Sequence, residues 1–135
     1  MKLPSRWPKS MTDKKSRLYY LLELAIYMGL DEEENDQEFG ALVEEAANKY
    51  PSWTIMQQLT GIAKLHDDNY VGAAYYLSRA YEQDKTDLDT LYYLGVAHYK
   101  NGDYEDAVRF FGEAVECGAD NQMSGEILWY LNRLP

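Results

Sequence analysis

The sequence predicts an all-α chain of helical hairpins that recur with a period of about 34 residues and end in one further helix. Two observations predict it. From Leu18 onward apolar residues return at helical spacing, and the short breaks Asp68-Asn69 and Asn101-Gly102 divide the pattern into pairs of helices. The same residue types also return in one register: Gly61 with Gly95, Tyr70 with Tyr104, Ala73 with Ala107, and Ala46 with Ala80 and Ala114.

Residues 1–15 (MKLPSRWPKSMTDKK) are basic, hold two prolines and show no helical period, so they read as a flexible arm in which Leu3 and Trp7 are candidate docking anchors. Ser16 is placed to cap a helix over residues 17–30, whose Leu18, Leu21, Leu22, Ala25, Ile26 and Met28 give broad apolar cover before Gly29 ends it. The acidic tract 31–36 (DEEEND) reads as a solvated loop. It lacks the Asp/Asn alternation and glycine of a calcium loop and is assigned no metal.

Residues 38–49 form the second helix, with Phe39, Leu42, Val43, Ala46 and Ala47 on one side, and Tyr50-Pro51-Ser52 stops it, Ser52 capping the next. Residues 17–51 are thus the least regular hairpin, with Phe39 where the later ones have Ala73 and Ala107. The middle hairpin covers residues 52–85, with Asn69 expected to take the left-handed conformation in its turn. In the third, residues 86–119, Gly102 takes that conformation and Asp103 caps the second helix. Residues 122–134 close the stack through Ile127, Leu128 and Leu131. Seven helices in one domain, residues 16–135, follow.

In the third hairpin, Leu91, Leu94, Gly95 and His98, then Ala107 and Phe111, fall at the spacing W-x₂-L-G-x₂-Y…A-x₃-F. The chain therefore resembles the tetratricopeptide repeat family. The resemblance implies a right-handed superhelix of three helix-turn-helix repeats plus a capping helix, with the first helices of successive repeats lining a concave, protein-binding surface. Helical spacing assigns to that surface Leu21, Leu24 and Met28 in the first repeat, and Ile55, Gln58, Ile62, Leu65 and His66 in the second. In the third it assigns Asp89, Tyr92, Val96, Tyr99 and Lys100. Packing inside the repeats is supplied from another face, by Met56, Leu59 and Ala63 and by Leu91, Leu94 and His98, so the second apolar face is surplus. Its shape suits an amphipathic helix of a partner. Co-chaperones of this family grip a free carboxy-terminus with lysine, asparagine and arginine. The matching places here hold Leu24, Met28, Gln58, Ile62, Tyr92 and Val96, leaving only Lys100, so that clamp is not expected.

Composition narrows the partner. Thirteen Lys and Arg against 23 Asp and Glu give a net charge of −10. Up to Arg17 there are six basic residues against Asp13, a net of plus five; the remainder has seven against 22, a net of minus fifteen. Such a body is repelled by nucleic acid and anionic membranes. Tyrosine is abundant, at 13 residues, and in the adjacent pairs Tyr19-Tyr20, Tyr75-Tyr76 and Tyr92-Tyr93 both members cannot serve one helix face. The sequence has no phosphate-binding glycine motif, no H-E-x-x-H and no C-x-x-C, and its two histidines fall in different repeats. No enzyme, cofactor or metal is read from it. A single cysteine, Cys117, makes no internal disulfide, and no apolar run is long enough to span a membrane, so a cytoplasmic protein is expected.

A short acidic array with an irregular first repeat and an apolar groove is also similar to the small chaperones of bacterial type III secretion that hold the needle subunit, and to the longer translocator chaperones. That similarity implies a groove wrapped around the subunit's amphipathic helix. A scaffold of a larger assembly is the alternative use of the same surface.

Overall fold

The computed structural model describes the backbone of residues 32–135 and the side chains of residues 37–135. Over that span the chain is six helices: α1 (Glu32–Lys49), α2 (Thr54–His66), α3 (Tyr70–Gln83), α4 (Leu88–Lys100), α5 (Tyr104–Glu116) and α6 (Asn121–Leu131). Helices α2 and α3 form one hairpin and α4 and α5 the next. Helix α1 packs on α2, α3 packs on α4, and α6 rests on both α4 and α5. The expected helix over residues 17–30, its Ser16 cap and the basic arm lie outside the described residues.

The register read from the sequence reappears as burial. Val43, Leu77 and Phe111, which share one place in successive repeats, are at most 1% exposed, and Ala46, Ala80 and Ala114 are sealed completely. In each hairpin a glycine of the first helix receives a large side chain of the second. A Cβ on Gly61 would fall 2.5 Å from Leu77, and one on Gly95 would fall 2.4 Å from the Phe111 ring. Four residues before each large side chain stands a buried alanine, Ala73 or Ala107, which keeps the two backbones close. Leu91, Leu94, Ala97 and Ile127 complete the core around Phe111, and Leu42, Met56 and Tyr76 form a second cluster between α1 and α2–α3. Deleting a buried phenylalanine such as Phe111 removes about 3 to 5 kcal/mol.

Several local expectations are corrected. The acidic tract is not a loop, since α1 already includes Glu32; consecutive glutamates are good helix formers, and carrying the helix back costs them little. In the middle turn it is Asp68, at φ 58°, that takes the left-handed conformation. Asp68 stands one repeat before Gly102, at φ 84°, so both turns use the same place in the repeat. Asn69 is then free to cap α3, its side chain accepting from the Gly72 amide at 2.9 Å. Asp103 takes the corresponding N-cap place but caps no amide. Its carboxylate instead accepts from the Asn101 amide at 2.9 Å and lies 3.5 Å from His98 Nδ1. Those two neighbours, Asn101 first, hold its carboxyl below the usual range.

At the start of α2 the cap place belongs to Trp53, not Ser52. The bend is secured from inside, because the buried Gln57 amide donates to Ala47 O at 3.0 Å and to Pro51 O at 3.1 Å. One side chain thereby satisfies the buried Ala47 carbonyl near the end of α1 and the Pro51 carbonyl of the bend.

Candidate functional site

The first helices α2 and α4 present neighbouring faces, and α6 closes one end of them. Between them lies an open pocket of about 160 Å³ lined by Ile62, Leu65, His66, Tyr92, Tyr93, Val96, Lys100 and Tyr130. Six of these stand among the residues assigned to the groove from sequence. Tyr93 and Tyr130 do not. Tyr130 had a signal, because Ile62, Val96 and Tyr130 follow one another at the repeat interval, and α6 continues the series of first helices.

Tyr130 builds the end wall. Its ring stacks on Phe111 at 5.6 Å and 20°, and meets Tyr99 edge-on at 5.0 Å and Tyr92 at 6.5 Å. Burial pushes the Tyr92 hydroxyl well above the ordinary phenol range, and the neighbouring Tyr130 and Glu126 side chains push the same way. Tyr93 and Tyr130 are raised chiefly by burial as well, with Asp89 and Glu126 adding to the rise at Tyr93. At neutral pH the wall is therefore a set of neutral phenols, apolar in body and able to donate a hydrogen bond at the tip.

The other groove residues divide. Ile55 is 46% exposed at the start of α2, and Asp89, His66 and Lys100 are exposed at the helix ends. The Lys100 ammonium lies 5.9 Å from the Tyr70 ring centre. Gln58 is buried, which corrects its assignment to an open face. Its amide donates to Asp87 Oδ2 at 2.7 Å and Thr90 Oγ1 at 3.0 Å, tying α2 to the start of α4. Both donor hydrogens are used, so neither is buried without a partner. Val96 is likewise almost closed, at 6% exposure, as part of the core. Tyr99 is only partly free: its ring packs on Tyr104 and Tyr130, and its hydroxyl donates to Arg133 O at 3.3 Å. Leu21, Leu24 and Met28 lie outside the described residues.

His98, assigned to packing within its repeat, stacks on Phe110 at 5.5 Å and 8°. Of the tyrosine pairs, Tyr75 points outward at 55% exposure while Tyr76 is buried. Tyr92 and Tyr93 are both half-buried, because α6 covers what one face of α4 would otherwise expose. Among the described residues no group of three or more His, Cys, Asp or Glu is gathered to hold a metal, and no helix is long and apolar enough to cross a membrane.

The hairpin pairing and the glycine-seated aromatic are matched by a comparison with known families. The model of the tetratricopeptide repeat family matches residues 64–124. That span belongs to the tetratricopeptide repeat family. A comparison with curated proteins finds no match. Tetratricopeptide repeats are in general protein–protein interaction modules, and the matched span includes α3, α4 and α5 in full, with the end of α2 and the start of α6.

Proposed function

We propose that this tetratricopeptide repeat protein is an adaptor or chaperone that holds an amphipathic helix of another protein along the α2–α4 face. The observation that carries the reading is the pocket between Ile62, Leu65, Tyr92 and Tyr130, an apolar recess continued by exposed Ile55 toward the start of α2. A helix in such a recess presents anchors at i, i+3, i+4 and i+7. The phenolic tips of Tyr92 and Tyr93 offer hydrogen bonds to its polar flank. Charges order it: Asp89 and Glu126 flank the start of the α4 face and Lys100 its end, so a partner helix with basic residues at one end and acidic at the other is favoured.

The sharper form of this reading is a cytoplasmic chaperone of a type III secretion needle or translocator subunit, supported by the short acidic array and the apolar recess. A scaffold differs from it in retaining several large partners instead of one small helical one.

Ile62 is the residue to test, since it lines the recess and is not sealed in the core. Ile62→Glu should melt like the parent yet lose the protein that co-purifies from the native source. An uncompensated charge against an apolar helix costs about 2 kcal/mol or more, at least a roughly thirtyfold weaker complex. Val71→Glu, on the outer side of α3 at 69% exposure, should leave retention unchanged. Retention by Ile62→Glu, with its fold intact, would refute the proposal.

A further inference from the structure

Helix α6 stands one repeat after α4, in the place of a first helix, but among the described residues its outer face is largely open, with only the Arg133 guanidinium lying over the Trp129 ring at 3.9 Å. Leu128, one repeat after the fully buried Leu94, is 56% exposed, and Trp129, one repeat after Gly95, is 50% exposed. Val115 of α5 is 53% exposed. Its counterpart Tyr81 packs edge-on against Phe110 of the following second helix at 5.3 Å. Both walls of the place a further second helix would take are therefore open.

A helix of the chain's own second-helix pattern does not fit there. Leu77 and Phe111 each need a glycine to rest on, and α6 has Trp129 at that position. The fitting occupant brings a small residue to lie under the indole. Four residues before Trp129 stands Gly125, exposed, with nothing within 4 Å of where its Cβ would be. Gly125 and Trp129 thus repeat, on one free face, the small-then-large spacing by which Ala107 and Phe111 pack on α4.

We infer that this face is a self-association surface, on which α6 packs antiparallel against α6 of a second copy about a two-fold axis, each Trp129 seated on Gly125 of the other copy. An interface of that symmetry must be complementary to itself. Spacing supplies this, since an axis midway between positions 125 and 129 exchanges them. Charge agrees. Between Asp120 and Arg133 the only charged residue is Glu126, which interacts with Tyr92, so the one charge resting on the indole is the Arg133 cation, and a chain of net charge −10 brings no acidic side chain onto Trp129. The same axis sets Arg133 of one copy beside Asn121 and Asp120 of the other, an attractive pairing of opposite signs. Two helices of this length, with Val115 at the rim, bury on the order of 1,000 Å², at the low end for a specific interface. The dimer is accordingly reversible.

Sedimentation of the full chain from about 1 to about 300 µM, a span covering weak affinities, should show the mass rising from the 15.7 kDa monomer toward a dimer. Gly125→Leu fills the notch on an exposed helix face and so leaves the melt unchanged or higher; it and Trp129→Ala should each weaken association at least about tenfold. With the exposed Cys117 replaced by serine, Leu128→Cys, near the axis, should form an intermolecular disulfide under mild oxidation, and Val71→Cys should not. A monomer throughout, a dimer indifferent to Gly125→Leu, or equal cross-linking at both cysteines would overturn the inference. None of these outcomes bears on the α2–α4 recess, which Ile62→Glu tests separately.

Discussion

Gly95→Ala puts the packing at its tightest point to the test. Helix propensity alone predicts a gain of about 1 kcal/mol, because glycine in a helix interior is that much worse than alanine. The structure predicts the opposite. The added methyl would lie 2.4 Å from two carbons of the Phe111 ring, where carbon atoms normally rest about 3.5 to 4.0 Å apart. The ring would have to retreat by more than about 1 Å to restore that spacing. It has nowhere to go: Phe111 is 1% exposed, with Tyr130 stacked on one side and Tyr92 at 6.2 Å. Overpacking of a rigid core costs about 1 to 3 kcal/mol. The upper half of that range outweighs the propensity gain, leaving a net loss of about 1 kcal/mol and a midpoint lower by about 3 to 6 °C for a domain of this size. Gly112→Ala is the control, since its Cβ meets nothing within 4 Å on the outer face of α5. It should raise the midpoint by a similar amount. Thermal melts followed by far-ultraviolet circular dichroism decide the matter. Should both substitutions stabilise alike, Phe111 does not rest on Gly95, and the pairing of α4 with α5 is wrong.

The capping assignments make a paired prediction: Asn69→Ala loses the bond to the Gly72 amide and should cost about 1 kcal/mol in denaturant melts, whereas Ser52→Ala, which caps nothing, should cost less than about 0.5. The tyrosine wall predicts an alkaline limit. Because the folded phenols of Tyr92, Tyr93 and Tyr130 are raised, they hold their protons when the unfolded ones ionise. Their stabilisation is therefore complete below the ordinary phenol value and is lost as pH rises past it. Melts between about pH 8 and 11, a range centred near the free phenol value, should show the midpoint falling only in the upper part, while absorbance reports late ionisation. A midpoint flat to the alkaline end would contradict the burial of these groups.

The hairpins were legible in the sequence because each is held by contacts that recur with the period. Gly61 and Leu77, like Gly95 and Phe111, are close in sequence, and substitution in either would show at once against the other copy. What the period does not carry was misread. Helical spacing put Gln58 on the groove and assigned Gln57 nothing, yet Gln57 ties the end of α1 and Gln58 the start of α4, through partners that the hairpin pattern does not contain. The acidic start of α1 was lost for a related reason: its charges suggested water, while its glutamates were already compatible with helix.

The recess was half legible for the same physical reason. Ile62, Leu65, Tyr92 and Val96 follow from helical spacing within single helices, but how open they are depends on what lies across from them. That neighbour is α6, and the period that located Ile62 and Val96 leads one step further to Tyr130. Treating the last helix as a cap hid this, since a cap is expected to end a pattern. Here it continues the pattern on its inner side, where Tyr130 joins the wall, and breaks it on its outer side, where Trp129 replaces the glycine. One helix thus limits the recess on α4 and carries the unpaired face beyond it, and a change at Tyr130 should be felt at the recess while a change at Gly125 should not.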